Sequence, residues 1–174
     1  MTRLPALGPR GVGWVFVQGI LIVLVAVAGW RLGAGWSGPL RLIGVLVGGA
    51  LIATGLALVV RARIDMGGVW TPLPKPRDNA RLVETGAFAI VRHPIYAGLI
   101  VAGFGWGVVR ASAVAIALTV LLAGFSYLKA AREEAWVETR YPGYAAYRAR
   151  TPRFIPWPGR SRGSTGRSSR GKAP

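Results

Sequence analysis

The stretch RHPIYAGLIVAGFGWGVVRASAVAIALTVLLAGFSYLK, residues 92–129, decides the fold. It holds two apolar runs, Ile95–Val109 and Ala111–Leu128, parted by a single charged residue, Arg110. Arg110-Ala-Ser is too short for a loop domain, so the two runs read as a tight helical hairpin. Two further apolar runs lie upstream: Val12–Trp30 between Arg10 and Arg31, and Leu42–Val60 between Arg41 and Arg61. At ~1.5 Å per residue, each is long enough to cross a hydrocarbon layer of ~30 Å. The expected fold is an all-α integral membrane protein of about four transmembrane helices, with spans near 12–30, 42–60, 95–109 and 111–128. The third run is the shortest and carries Gly98, Gly103, Gly105 and Gly107. Most of these glycines, and the pair Gly44 and Gly48, read as sites of close helix packing. The N-terminal end of the third run reads as opening into a cavity rather than lipid.

Composition agrees with a membrane protein. Of 174 residues, 52% are hydrophobic and 16% charged, against about a quarter charged in a soluble domain. The net charge is +16. The basic residues avoid the apolar runs and no zinc spacing occurs, so they read as topology signals and contacts to anionic lipid, not to nucleic acid. There is no cysteine and one histidine, His93. Disulfides, thiolate nucleophiles and multi-histidine metal sites are excluded.

The basic residues also set an expected topology. Arg3, Arg10, Arg61, Arg63, Lys75, Arg77, Arg81, Arg92 and the region from Lys129 to Lys172 fall on one side; Arg31, Arg41 and Arg110 fall on the other. The positive-inside rule places both termini in the cytoplasm, in a bacterial inner membrane. The first run reads as a retained span: Ala26-Val-Ala28 resembles a signal-peptide cleavage site, but the apolar core is long and Trp30 suits an interfacial anchor. Residues 1–10 form a cytosolic N-terminus and 11–156 the membrane domain. The Gly-, Ser- and Arg-rich residues 157–174 read as a disordered basic tail.

At the mouth of the third run stand Arg92, His93, Pro94 and Tyr96. Polar groups at membrane depth are costly, which makes this cluster a site candidate. The plainer alternative is a flank that snorkels to the headgroups. Upstream, Trp70-Thr-Pro-Leu-Pro-Lys-Pro76 reads as an extended segment stiffened by proline. Downstream, Lys129-Ala-Ala-Arg132-Glu133-Glu134 continues the fourth helix out of the bilayer. Glu134 and Glu138 read as an ordinary charged exit, and Lys129 with Glu133 is spaced for a simple salt pair. Tyr141-Pro-Gly-Tyr144 then breaks and restarts the helix.

R-H-P-x-Y-x-G before the hairpin, then E-E-x-x-V-x-x-x-Y and Y-x-x-Y-x-x-x-x-P-R-F-I-P after it, resembles the isoprenylcysteine carboxyl methyltransferase family. Phospholipid methyltransferases share part of this pattern. The resemblance covers roughly Arg81 to Pro156; the first two spans contribute only apolarity and position. It implies S-adenosylmethionine as methyl donor, bound on the cytosolic side, with a C-terminal cytosolic helix completing the site. Arg81, Leu82 and Val83 would line the cofactor, followed by Phe88 and then His93, Pro94, Ile95 and Tyr96, with Glu133 on a polar group. Lys129, where the eukaryotic enzymes have arginine, and Arg132 would face the methyl acceptor. Phe88 stands where the family often has tyrosine and Ala87 where it often has proline.

The residue types suit methyl transfer from a sulfonium, an in-line displacement that depends on near-attack placement. A carboxylate acceptor needs no base, whereas a thiol or amine would; His93 or Glu133 could supply one, though both read first as binding residues. Aromatic faces at Phe88, Tyr96 or Tyr144 could stabilise the cation. The acceptor implied is lipophilic or membrane-borne: an isoprenylcysteine-type carboxylate, a lipid amine or a small thiol. Gly103-x-Gly105-x-Gly107 sits inside an apolar run and is not a dinucleotide fingerprint. Two other readings are a non-catalytic membrane scaffold that kept the family fold and an NADPH-dependent membrane reductase.

Overall fold

The structure, a computed structural model, describes residues 7–8, 11–69 and 82–156, with no strand among them. The Trp70–Pro76 segment, Arg81 and the 157–174 tail lie outside the described residues. The helices follow in order as α1 (Val12–Leu32), α2 (Pro39–Met66), α3 (Ala87–Ile90), α4 (Pro94–Val109), α5 (Ala113–Arg140) and α6 (Tyr144–Arg150). α1, α2 and α5 are each long and apolar enough to cross a membrane. α4 has 16 residues and rises only ~24 Å. Three described helices therefore reach the length of a span, where about four are expected from the sequence.

The boundaries have local causes. Pro39 and Pro94 sit in the first turns of α2 and α4, where the missing N–H costs nothing and the fixed φ suits a helix. Ser112 caps α5 by accepting from the Ala115 N–H at 3.2 Å. The expected hairpin between α4 and α5 is present and tight. Ala111 turns the chain at φ 48°, and the Ser112 N–H donates to the Gly107 carbonyl at 2.9 Å. α2 runs on through Arg61 and Arg63 to Met66, and α5 runs on past Leu128 to Arg140 without a break.

The core lies around α4, none of whose residues is exposed. Its glycines form two stripes. Gly98 and Gly105 meet Gly55 and Gly48 of α2 backbone to backbone, so that a Cβ on Gly48 would stand 2.6 Å from the Gly105 carbonyl oxygen. Gly103 and Gly107 meet Thr119 and Ile116 of α5. On a third side, Trp106 of α4 lies on Gly29 of α1 and donates to the Ala26 carbonyl at 3.1 Å. The packing reading holds for these glycines, whereas Gly44 faces the Trp36 side chain of the α1–α2 connection and no other helix. α2 packs along α4, while α1 packs mainly along α5.

Arg110 latches the hairpin end. Its Nε donates to the Gly29 carbonyl at 3.1 Å, and its guanidinium lies 5.8 Å from the ring centroids of both Trp30 and Trp106. A cation at the C-terminus of α1 is favourable there.

Gly55→Ala is expected to push α2 off α4 and cost about 1–3 kcal/mol, read as a lower unfolding midpoint in detergent. Gly49→Ala, one helix face away with nothing within 4 Å of its added carbon, should be neutral or slightly stabilising.

Candidate functional site

The site is assembled at the start of α4. The Arg92 and His93 N–H groups donate to the carbonyls of Pro152 and Arg153 at 2.8 and 3.1 Å, which lays the Thr151–Pro156 segment against the R-H-P turn. The Arg92 guanidinium adds bonds to the Arg148 and Thr151 carbonyls at 3.0 and 2.5 Å. These close the C-terminus of α6, where a cation suits the unsatisfied carbonyls.

Glu134 is the hub. It is 3% exposed. Its carboxylate accepts from Arg92 Nε at 3.1 Å, from Arg153 Nε and Nη2 at 3.0 and 2.6 Å, and lies 3.0 Å from His93 Nε2. Two guanidiniums and an imidazole satisfy a carboxylate that could not stay buried alone. Glu134 is thus no charged exit, and Arg92 is no snorkelling flank. The chain after α6 folds back over the end of α5 and covers the face that the sequence leaves open to water. Burial opposes the charge on Arg153, but its bonds to Glu134 outweigh that and hold its pKa above the usual arginine value.

Glu133, one residue earlier, points elsewhere. The Tyr96 hydroxyl donates to its Oε1 at 2.5 Å, and His93 Nδ1 stands 3.6 Å from its Oε2. His93 therefore sits between the two carboxylates. Its ring lies parallel to Tyr96, centroids 5.6 Å apart, and Phe154 presents an edge to His93, Tyr96 and Tyr127 at 5.9–6.4 Å. Arg153 covers the Tyr127 face at 4.4 Å. The result is an aromatic cluster with one carboxylate against it, the lining of a candidate recess.

α6 braces this recess. Tyr144 and Tyr147 are buried and meet edge to face at 5.9 Å. Tyr147 donates to the Phe88 carbonyl at 2.7 Å. Burial raises both phenols well above the usual tyrosine range, so they stay donors. Asp65, at the end of α2, accepts from the Ala87 N–H at 2.8 Å and so sets the start of α3 just before the R-H-P turn. Glu84 pairs with Arg150 across to α6.

Of the residues singled out from the sequence, His93, Tyr96 and Glu133 meet directly. Pro94 is fully buried beneath them. Leu82, Val83 and Ile95 are half-buried on the flanking chain. Phe88 is tied in through its carbonyl rather than its ring. Arg132 lies over Trp136 at 4.5 Å, with its Nε buried and lacking a hydrogen-bond partner. Lys129 is not paired with Glu133; its ammonium donates to Gln18 of α1 at 2.6 Å and lies 5.0 Å from the Tyr96 ring centroid. Sequence reasoning set Arg92 among the site candidates with a snorkelling flank as the alternative and took Glu134 for a charged exit; it gave no role to Arg153, Phe154 or Gln18. The available signals were the P-R-F string for Arg153 and Phe154, and, for Gln18, a lone amide in an apolar run.

The donor and acceptor set fits S-adenosylmethionine. Glu133 offers acceptor oxygens to an amino group or hydroxyl, and the rings offer faces to a sulfonium. It does not fit a metal ion. Among the described residues no group of three His, Cys, Asp or Glu side chains could hold one. Glu134 is committed to arginine and histidine.

The model of the phospholipid methyltransferase family matches residues 43–143. Similar proteins include a cobalt-zinc-cadmium resistance protein, CzcN, of Cupriavidus metallidurans, 30% identical over 121 residues, which are 68% of this chain and 55% of that one. A nickel-cobalt-cadmium resistance protein, NccN, of Alcaligenes xylosoxydans xylosoxydans is 30% identical over 112 residues, 63% of this chain and 52% of that one. The chain thus spans about half the length of these relatives.

Glu134→Ala is expected to cost about 2–4 kcal/mol of stability, since it removes the only carboxylate partner of the partly buried Arg92 and Arg153 among the described residues. Glu138→Ala, which breaks only the half-exposed pair with Arg148, should cost under about 1 kcal/mol. Chemical unfolding of both variants in the same detergent makes the comparison.

Proposed function

The chain belongs to the phospholipid methyltransferase family, and from that premise we propose that it transfers a methyl group from S-adenosylmethionine to a lipophilic acceptor in the membrane. The observation that carries this reading is the junction of two distant motifs. The R-H-P start of α4 and the E-E end of α5 meet through Tyr96–Glu133 and His93–Glu134.

The bound cofactor supplies an electrophilic methyl carbon on a sulfonium. Around it the chain's own residues divide the work. Glu133, oriented by the Tyr96 hydroxyl, accepts hydrogen bonds from cofactor N–H or O–H groups. Tyr96, His93 and Phe154 turn aromatic surface toward the cationic sulfur. Leu82, Val83, Pro94 and Ile95 supply apolar wall, and Phe154 shuts water out from the C-terminal side. Lys129, 5.0 Å from the Tyr96 ring centroid, faces the acceptor. Rate enhancement comes from holding acceptor and methyl carbon in line. His93, pinned between two carboxylates, is a binding and orienting group.

Among the described residues the site end of the bundle carries Arg61, Arg63, Arg92, Arg132, Arg140, Arg148, Arg150 and Arg153, which under the positive-inside rule supports a cytoplasmic site. The polar cofactor then arrives from the aqueous side and the acceptor from the bilayer.

Purified protein in detergent is expected to bind S-adenosylmethionine. His93→Ala and Glu133→Ala should each weaken that binding by about tenfold or more, the scale of a lost hydrogen bond to a charged group. Folded wild-type protein with no measurable affinity for the cofactor would sink the reading.

A further inference from the structure

α2 is longer than a span needs. Its 28 residues rise ~42 Å, against a hydrocarbon layer of ~30 Å. The surplus carries Asp65, one turn past Arg61, to the turn that precedes α3. The Asp65 side chain is 9% exposed. An acid in the last turn of a helix opposes the macrodipole. Arg61 meets the carboxylate at 3.1 Å, but Arg61 is 63% exposed, and an exposed pair of this kind contributes little. α2 itself therefore gains little from Asp65.

The gain lies in α3, which begins without a cap of its own. Gly86 holds the N-cap position at φ 62° and has no side chain to offer the helix. The Phe88 and Ala89 N–H groups fold back to the Thr85 and Gly86 carbonyls. The Ala87 N–H, one of the orphan donors of a first helical turn, donates to Asp65 Oδ2 at 2.8 Å. The same carboxylate fills the space that a side chain on Gly86 would take: a Cβ there would collide with Cγ and both oxygens of Asp65. Asp65 thus serves as the N-cap of α3, supplied from another helix. From α6, the buried Tyr147 donates to the Phe88 carbonyl at 2.7 Å. The chain just before the R-H-P turn is gripped at two adjacent residues, by α2 and by α6.

We infer that Asp65 is a positioning residue for the cofactor: by capping α3 from α2 it fixes the backbone of Leu82–Phe88 on the approach to His93 and Tyr96. The inference rests on the methyltransferase reading above, in which Leu82 and Val83 are cofactor wall. Asp65 acts through Gly86 and Ala87 and touches neither cofactor nor acceptor. The oxygen that meets the Ala87 N–H carries the role, and the pair with Arg61 does not.

The test compares four purified full-length proteins in one detergent: wild type, Asp65→Asn, Asp65→Ala and Arg61→Met. Each is titrated calorimetrically with S-adenosylmethionine, and amide hydrogen exchange is followed over peptides spanning 82–91. Asp65→Ala should weaken cofactor binding about tenfold or more, the scale of a lost bond to a charged acceptor. It should also speed exchange in 82–91 while α4 and α5 keep their protection. Asp65→Asn retains an acceptor oxygen and should bind within about threefold of wild type, with wild-type exchange. Arg61→Met should match wild type in both readouts. A merely structural Asp65 would lower the unfolding midpoint of Asp65→Ala and leave the affinity of the folded protein unchanged, and that result overturns the inference. So does Asp65→Asn or Arg61→Met being as impaired as Asp65→Ala, which would place the effect in the charge and not in the cap. Wild type without cofactor affinity removes the methyltransferase reading. Faster exchange confined to 82–91 in Asp65→Ala then upholds the positioning of Leu82–Phe88, and unchanged exchange overturns it.

Discussion

A buried carboxylate shared by two guanidiniums and an imidazole holds the functional end together. Glu134 ties the last turns of α5 to Arg92 and His93 at the start of α4 and to Arg153 on the segment after α6. Each charge is buried only because the others are. Adjacent residues on a helix point about 100° apart, so one glutamate of the pair is consumed in this junction and the other is turned into the recess. Glu134 bears the structural load and Glu133 is left to a ligand. The spacing of the two motifs along the chain has its physical meaning in that division.

The position of the recess follows from α4. A short helix surrounded on three sides begins within the body of the protein, and polar residues at its start are enclosed by protein. Backbone contact at Gly55–Gly98 and Gly48–Gly105 makes that enclosure possible, since a side chain at either place would move α2 away. At the opposite end Arg110 holds the turn of the hairpin against the end of α1. α4 is thus fixed at both ends, and His93 and Tyr96 have little freedom relative to Glu133.

Much of this was legible in the sequence. Apolar run length identified α1, α2 and α5, the single charge at Arg110 identified the hairpin, and the paired motifs brought His93, Tyr96 and Glu133 forward as partners. The rest depends on contacts that no local pattern encodes. Arg92 and Glu134 each look like the solvated flank of a span, because basic and acidic residues next to apolar runs usually are; only the fold-back of residues 151–154 buries them. Lys129 and Glu133 have the spacing of a helix salt pair, yet the lysine side chain runs back along α5 to an amide on α1. Gln18 has no partner within reach in sequence, being 111 residues from Lys129.

The central claim is that the R-H-P turn, Glu133 and the Phe154 segment line one cofactor recess. Ultraviolet cross-linking of methyl-labelled S-adenosylmethionine to the purified protein, followed by peptide mapping, addresses it most directly. Label should fall on peptides that contain His93–Tyr96 or Arg153–Phe154, and unlabelled S-adenosylhomocysteine should remove it. Label confined to α1 or α2, or label that the competitor does not displace, would contradict the claim.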